Sequence, residues 1–206
     1  MAQINVADKE IAVKIVYYGP AMSGKTTNLL YIHQRIPNKG RTDMLSIATE
    51  GDRTLYFDFL PLESNIIPGF KTKFQLYTVP GQVLYNATRK LVLQGADGIV
   101  FVADSQWSKQ RDNVDSLDNL VENLTEQSRE LNDVPYILEY NKRDLKDIAQ
   151  IDHMSYLLNR KKVRVPEFET VATTGKGVFD VLNAICRMVI AKIIKESDIN
   201  NQGGGK

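Results

Sequence analysis

Residues Gly19 to Thr26 read Gly-Pro-Ala-Met-Ser-Gly-Lys-Thr, a G-x-x-x-x-G-K-[ST] run. Before it stands Ile11-Ala-Val-Lys-Ile-Val-Tyr-Tyr18, rich in β-branched and aromatic residues and strand-like. After it, Thr26 to Ile36 reads as a helix. Few folds accommodate a strand that turns through such a loop straight into a helix. Glycines let backbone N–H groups turn inward, and the helix N-terminus adds partial positive charge, so the turn is suited to phosphate oxygens. Gly19, Pro20, Ala21, Met22, Ser23 and Gly24 form the cradle. Lys25 places an ammonium on the β/γ-phosphates, Thr26 offers its hydroxyl to Mg²⁺, and Thr27 follows as a further phosphate-binding candidate. The loop does not say which nucleotide is held or whether anything is transferred.

Composition narrows the setting. The chain has 206 residues and 43% hydrophobic content, enough for one larger domain with a substantial core. Its one cysteine, Cys186, cannot form an internal disulfide and reads as a buried small hydrophobe in an apolar helix. The net charge of +1 provides no general attraction to nucleic acid or membrane. The densest basic run, Arg160 to Arg164, reads as a solvated loop. No apolar run is long enough to span a bilayer. The N-terminus lacks a signal-peptide build, Ala2 stands where myristoylation needs glycine, and no C-terminal cysteine is available for prenylation. The expectation is a cytoplasmic protein without a direct membrane anchor.

Strand-like and helix-like segments alternate without repeats. Pro37 to Arg53 reads as polar and irregular. Leu55 to Leu62 and Phe70 to Val79 read as an antiparallel hairpin around Asn65, Pro68 and Gly69. Gly98 to Ala103 is an unbroken apolar run, as expected of a strand buried on both faces. A helix is predicted over Asp112 to Leu131, with Val114, Leu117, Leu120, Val121, Leu124 and Leu131 on its apolar face. Pro135 to Tyr140 and Phe168 to Ala172 are further strands, and Glu139 is an awkward charge within the first of these. The last helix begins near Gly177. This order predicts a three-layer α/β domain over residues 1–196. It has a mostly parallel six-stranded sheet, one antiparallel edge strand and helices on both faces. Residues 197–206 read as a polar, glycine-rich disordered tail.

Asn141-Lys142-Arg143-Asp144 directly follows a strand. A carboxylate at Asp144 can accept hydrogen bonds from guanine N1–H and its exocyclic amine, whereas adenine would leave it unpaired. Such a required hydrogen bond discriminates by roughly 10⁴-fold or more. Asn141 braces the loops, and the Lys142 stem lies along the base plane.

Thr78-Val-Pro-Gly-Gln82 ends the second hairpin strand. Here the chain resembles the Ras-like small GTPases, which carry Asp-x-x-Gly-Gln at this place. The resemblance implies that the Gly81 N–H contacts the γ-phosphate and that Gln82 orients the attacking water. Thr78 departs from the usual aspartate that supports Mg²⁺ through water; Asp58 and Asp52 are the alternatives for that role. Thr49-Glu-Gly-Asp-Arg-Thr54 lies where the first switch belongs. Thr54, preferred over Thr49, is the implied ligand of Mg²⁺ and γ-phosphate. Arg53 is the implied transition-state arginine, a role that raises turnover by roughly 10³–10⁵-fold. Val171-Ala-Thr-Thr-Gly175 stands at the family's base-contacting loop, where the Ala172 N–H would meet the guanine carbonyl.

Five runs together resemble the bacterial MglA-type GTPases more closely: Val16–Asn28, Asp52–Pro61, Phe74–Gln82, Phe101–Gln106 and Tyr140–Asp144. The resemblance spans about Ile4 to Lys195, and Thr-Val-Pro-Gly-Gln is its most specific part. It implies a P-loop GTPase fold, GTP and GDP as substrate and product, and Mg²⁺. It also implies a cytoplasmic polarity switch for gliding or twitching motility, recruited to a cell pole with effectors there. A roadblock-domain activating protein, MglB, is the implied partner, pressing Arg53 into place. The hairpin Leu55–Val79, with Tyr56, Phe57 and Phe59, is the implied moving part.

Three functions compete on these residues. A GTP-hydrolysing switch, slow without its partner, leads. A non-hydrolysing GTP-dependent scaffold would keep the same pocket with Thr78 marking a degenerate metal site. An ATP-dependent kinase would need an acceptor lid that the sequence lacks, and Asp144 argues against it.

Overall fold

A computed structural model describes residues 3–5, 7–37, 43–47, 57–64, 69–159 and 164–203. The strands are β1 (Gln3–Asn5), β2 (Glu10–Tyr18), β3 (Leu45–Ile47), β4 (Phe57–Ser64), β5 (Lys71–Thr78), β6 (Gly98–Asp104), β7 (Tyr136–Asn141) and β8 (Glu167–Glu169). The helices are α1 (Lys25–Arg35), α2 (Asn86–Leu93), α3 (Gln110–Glu126), α4 (Ile151–Leu158) and α5 (Val178–Gly203).

The strands form one sheet in the order β3-β4-β5-β2-β6-β7-β8, with β1 paired antiparallel to the start of β2. β5, β2, β6, β7 and β8 are parallel, and β4 is antiparallel to β5. This is the expected six-stranded core plus two three-residue strands. The predicted edge position is corrected: β4 is covered by β3, so it is not the edge strand. β3 falls in the stretch expected to be irregular. Its short run Leu-Ser-Ile is too brief to show a period, and pairing with β4 selects it.

Burial explains the pattern of each strand. β5 alternates buried positions with half-buried ones after an exposed Lys71, whereas every residue of β6 and β7 is buried. Central parallel strands with helices on both faces have no solvated side, so they read as continuous apolar runs. On one face Val13, Ile15 and Tyr17 pack with Leu29 and Ile32 of α1 and Val181, Ile185 and Val189 of α5. On the other, Val16 and Tyr18 pack with Leu93, Leu120, Leu124 and Met154 of α2, α3 and α4. Cys186 lies in the first of these cores, and burial pushes its thiol up to about 12. It is therefore inert packing, as its context suggests.

Two helix expectations differ. α3 stops at Glu126, and Ser128 follows with φ 56°, a left-handed turn. Leu131 belongs to a separate short turn, yet it enters the same core, so its spacing mimicked helical periodicity. Val121 is exposed, at the margin of the apolar stripe. α5 runs on through residue 196 to Gly203, across the expected start of a disordered tail. No proline interrupts residues 197–203, and extending an existing helix adds one hydrogen bond per residue without a new nucleus. Among the described residues, no helix is long and apolar enough to cross a membrane.

Candidate functional site

The loop between β2 and α1 opens at the carboxyl edge of the sheet, where open α/β sheets bind ligands. Gly24 caps α1 with φ 105°, and a Cβ there would lie 2.1 Å from Asn141 Nδ2. Glycine is thus required both by the backbone and by the neighbouring loop. The first turn of α1 has no acidic residue and no side-chain cap. Its N–H groups have no intrahelical acceptors, so this end suits an anion. Lys25 is buried, and its Nζ donates to the carbonyls of Gly19 (3.0 Å) and Pro20 (2.6 Å). Burial, helped by the charge of Arg89, lowers its ammonium to about 7. A phosphate anion beside it would favour the charged form again.

Thr26 Oγ1 donates to Asp58 Oδ2 at 2.5 Å, and Thr78 Oγ1 donates to the same oxygen at 2.9 Å. The Asp58 N–H donates back to Thr78 Oγ1 at 2.9 Å. A carboxylate from the adjacent antiparallel strand β4 thus reaches Thr26 and is braced by Thr78. Between the two sequence alternatives the structure brings Asp58 to Thr26; Asp52 lies outside the described residues. A hydroxyl and a carboxylate beside a phosphate loop are hard oxygen donors that fit Mg²⁺, which uses one or two carboxylates and takes its other ligands from phosphate and water. No group of three or more acidic, histidine or cysteine side chains suited to a metal occurs among the described residues. A cleft of about 570 Å³ is lined by Lys25, Thr26, Asp58, Thr78 and Gly81, among others.

Gly81 lies directly on the phosphate loop: a Cβ would come within 2.2 Å of Ala21 Cα. Only glycine allows this approach. Arg89 of α2 holds the segment. Its Nε donates to the Pro80 carbonyl (2.8 Å), Nη2 to the Gly81 carbonyl (2.5 Å) and Nη1 to Asn119 Oδ1 (2.7 Å). The guanidinium is buried 5.4 Å over the Tyr18 ring. Sequence reading missed Arg89 as a functional residue. The signal was its position three and four residues before the buried Val92 and Leu93, on the apolar face of α2. Gln82 is exposed and does not line the cleft. Arg53 and Thr54 lie outside the described residues, as does Thr49.

At the other end of the loop, Asn141 Nδ2 donates to the Ser23 carbonyl at 2.8 Å, and Oδ1 accepts the Ala172 N–H at 2.9 Å. Asn141 braces two loops, as expected. Ala172, expected to meet the guanine carbonyl, directs its N–H to the buried Asn141 amide oxygen in this structure and lines the hollow that Asp144 borders. Lys142 has φ 66°, and its Nζ pairs with Asp104 Oδ2 at 2.7 Å. Asp104 is fully buried and also accepts the Gln106 N–H. It orients Lys142, and sequence reading did not assign it a role. Asp144 is exposed and lines a second hollow of about 160 Å³ with Asn141, Lys142, Ala172 and Thr173. Met22, Gly24 and Thr27 line both hollows, so a phosphate-suited half and a base-suited half adjoin across the loop.

The family model described as Ras family matches residues 14–191. The chain is 51% identical over 195 residues to the mutual gliding-motility protein MglA of Myxococcus xanthus (strain DK1622), covering 95% of this chain and 99% of that protein. The family match includes every residue that lines the two hollows. The chain belongs to the Ras family of small GTPases, and within it to the MglA type.

Proposed function

We propose that the protein is a GTP-binding switch that hydrolyses GTP slowly alone and faster with a roadblock-domain partner, and that it controls cell polarity or motility through effectors at a cell pole. The observation that supports this reading best is the adjacency across Gly24. Lys25, Thr26 and Asp58 face one hollow, and Asn141, Lys142 and Asp144 face the next. A guanine nucleotide has this polarity: a triphosphate at one end and a base with paired donors at the other. Mg²⁺ bound at Thr26 and Asp58 would neutralise phosphate charge. Lys25 binds and orients the phosphates, Gly81 offers its N–H to the γ-phosphate, and Arg89 holds Gly81 against the loop. Thr54 would complete the metal site, Arg53 the transition-state charge and Gln82 the water position.

The exposed position of Gln82 suits a catalytic group that a partner has to bring in. The test identifies the nucleotide that copurifies and then times GTP turnover with and without a roadblock protein. Guanine nucleotide and stimulated turnover are expected, and copurifying ATP would sink the reading. Gln82→Leu should abolish the stimulation while leaving GTP binding nearly intact. Tight GTP binding with no turnover in either condition would instead establish a GTP-dependent scaffold.

A further inference from the structure

Glu139 sits at the centre of β7 with no solvent contact. Its Oε1 accepts hydrogen bonds from Asn28 Nδ2 on α1 (2.7 Å) and from Thr170 Oγ1 just after β8 (2.8 Å). Its Oε2 has no hydrogen-bond partner among the described residues, and neither has Asn28 Oδ1. Burial raises the carboxyl to about 7. Packing alone does not account for this residue. An aliphatic side chain of similar volume would fill the space without desolvation, and replacing buried polar partners together by apolar groups is often neutral or stabilising.

What Glu139 joins does account for it. Asn28 Nδ2 also donates to the carbonyl of Gly24 at 3.1 Å, the last residue of the phosphate loop. Thr170 Oγ1 shares its single proton between Glu139 Oε1 and, at the longer distance of 3.2 Å, Asn141 Oδ1, and Asn141 donates to the carbonyl of Ser23. Ser23 and Gly24 are adjacent in the chain, so the contacts close into a ring: Gly24, Asn28, Glu139, Thr170, Asn141, Ser23. All four polar side chains in it are buried, and they come from α1, from β7 and from the start of the last loop.

We propose that Glu139 is a positioning residue of the nucleotide site, closing this ring and thereby fixing the separation between the phosphate loop and the loops that face the base. The proposal rests on the guanine-nucleotide reading above. Glu139 touches no substrate and acts through Asn28 and Thr170. A nucleotide engages both halves of the site at once. Holding the halves at the bound spacing removes an ordering penalty that binding would otherwise carry.

The test follows release of a fluorescent GDP from the full-length chain with Mg²⁺ and excess unlabelled GDP. Three variants are compared with the wild type: Glu139→Gln, Thr170→Val and the double variant Asn28→Leu/Glu139→Leu. Glu139→Gln keeps the accepting oxygen and should release GDP within about twofold of the wild type. The double variant should melt at or above the wild type without nucleotide, yet release GDP roughly tenfold faster. Thr170→Val cuts the ring with little change of volume and should also speed release, so it decides the matter if the double variant folds poorly. Wild-type release rates in a folded double variant, or in Thr170→Val, would overturn the proposal while leaving the guanine-nucleotide reading intact. A wild-type protein that holds no guanine nucleotide would overturn both.

Discussion

At the scale of single residues, the site depends on groups that sequence motifs do not name. Asp58 is the carboxylate that meets the Thr26 hydroxyl, and Thr78 braces it from the neighbouring strand. Asp58→Ala should weaken Mg²⁺-dependent nucleotide retention by roughly 10–100-fold, the usual loss when a group near a metal is removed. Chelation with EDTA should bring wild type and variant to the same release rate; equal rates with Mg²⁺ present would separate Asp58 from the metal. Glu139 carries a pH signature. Its carboxyl stays protonated up to about 7 in the folded chain, against an ordinary value of 4.5. The folded state therefore binds the proton more tightly than the unfolded state. Stability falls as pH rises from 4.5 towards about 7 and levels off above it. Denaturant midpoints across that interval should fall more steeply for the wild type than for Glu139→Gln, and parallel curves would refute the assignment. The motifs made Lys25, Asn141 and Asp144 legible because loop chemistry concentrates them in short runs. Asp58 was legible only as one of two alternatives and Glu139 only as an awkward charge, and Asp104 carried no signal, because the partners that give them roles lie far along the chain.

Elements explain how the phosphate loop is gripped from one side. α2 reaches back to the end of β5 through Arg89, which satisfies the carbonyls of Pro80 and Gly81 with adjacent donors of one planar fork. Arg89→Met would leave those carbonyls without their donor and should lower stability by about 1–3 kcal/mol in denaturant unfolding. Arg89→Lys should recover only part of this, since an ammonium lacks the fork. Equal stability of all three proteins would remove the clamp from the account. The hairpin β4–β5 carries Phe59 on Tyr77, ring centroids 4.8 Å apart, so this part of the aromatic stripe packs within the sheet. Element type was readable for the long periodic segments: β2, α1, β6 and α5 fall where hydrophobic spacing put them. Ends were less readable. α3 terminates in a left-handed turn that its apolar spacing concealed, and β3 exists only because β4 offers it an edge.

The whole molecule behaves as a platform with two faces of core and one functional edge. Nucleotide should stabilise it by mass action, by about 2.7 kcal/mol at a hundredfold excess over Kd. For a chain of this size that corresponds to a rise in Tm of roughly 5–10 °C. Thermal unfolding with GDP and Mg²⁺ should show this rise and ADP should not; equal shifts would point to a site that reads phosphate alone. The layer order and the parallel centre of the sheet were open to sequence reading, since buried strands and amphipathic helices announce themselves by period. So were the phosphate loop and the guanine-type motif, because each is a local arrangement of backbone freedom and charge within a few residues. Three other features required the folded chain. These are the carboxylate that strand β4 brings to Thr26 and Thr78, the arginine that holds Gly81 and the buried ring that ties the two halves of the site together. Each is a contact between segments distant in sequence, formed by strand register and helix packing, and no local pattern encodes which side chains that register brings face to face.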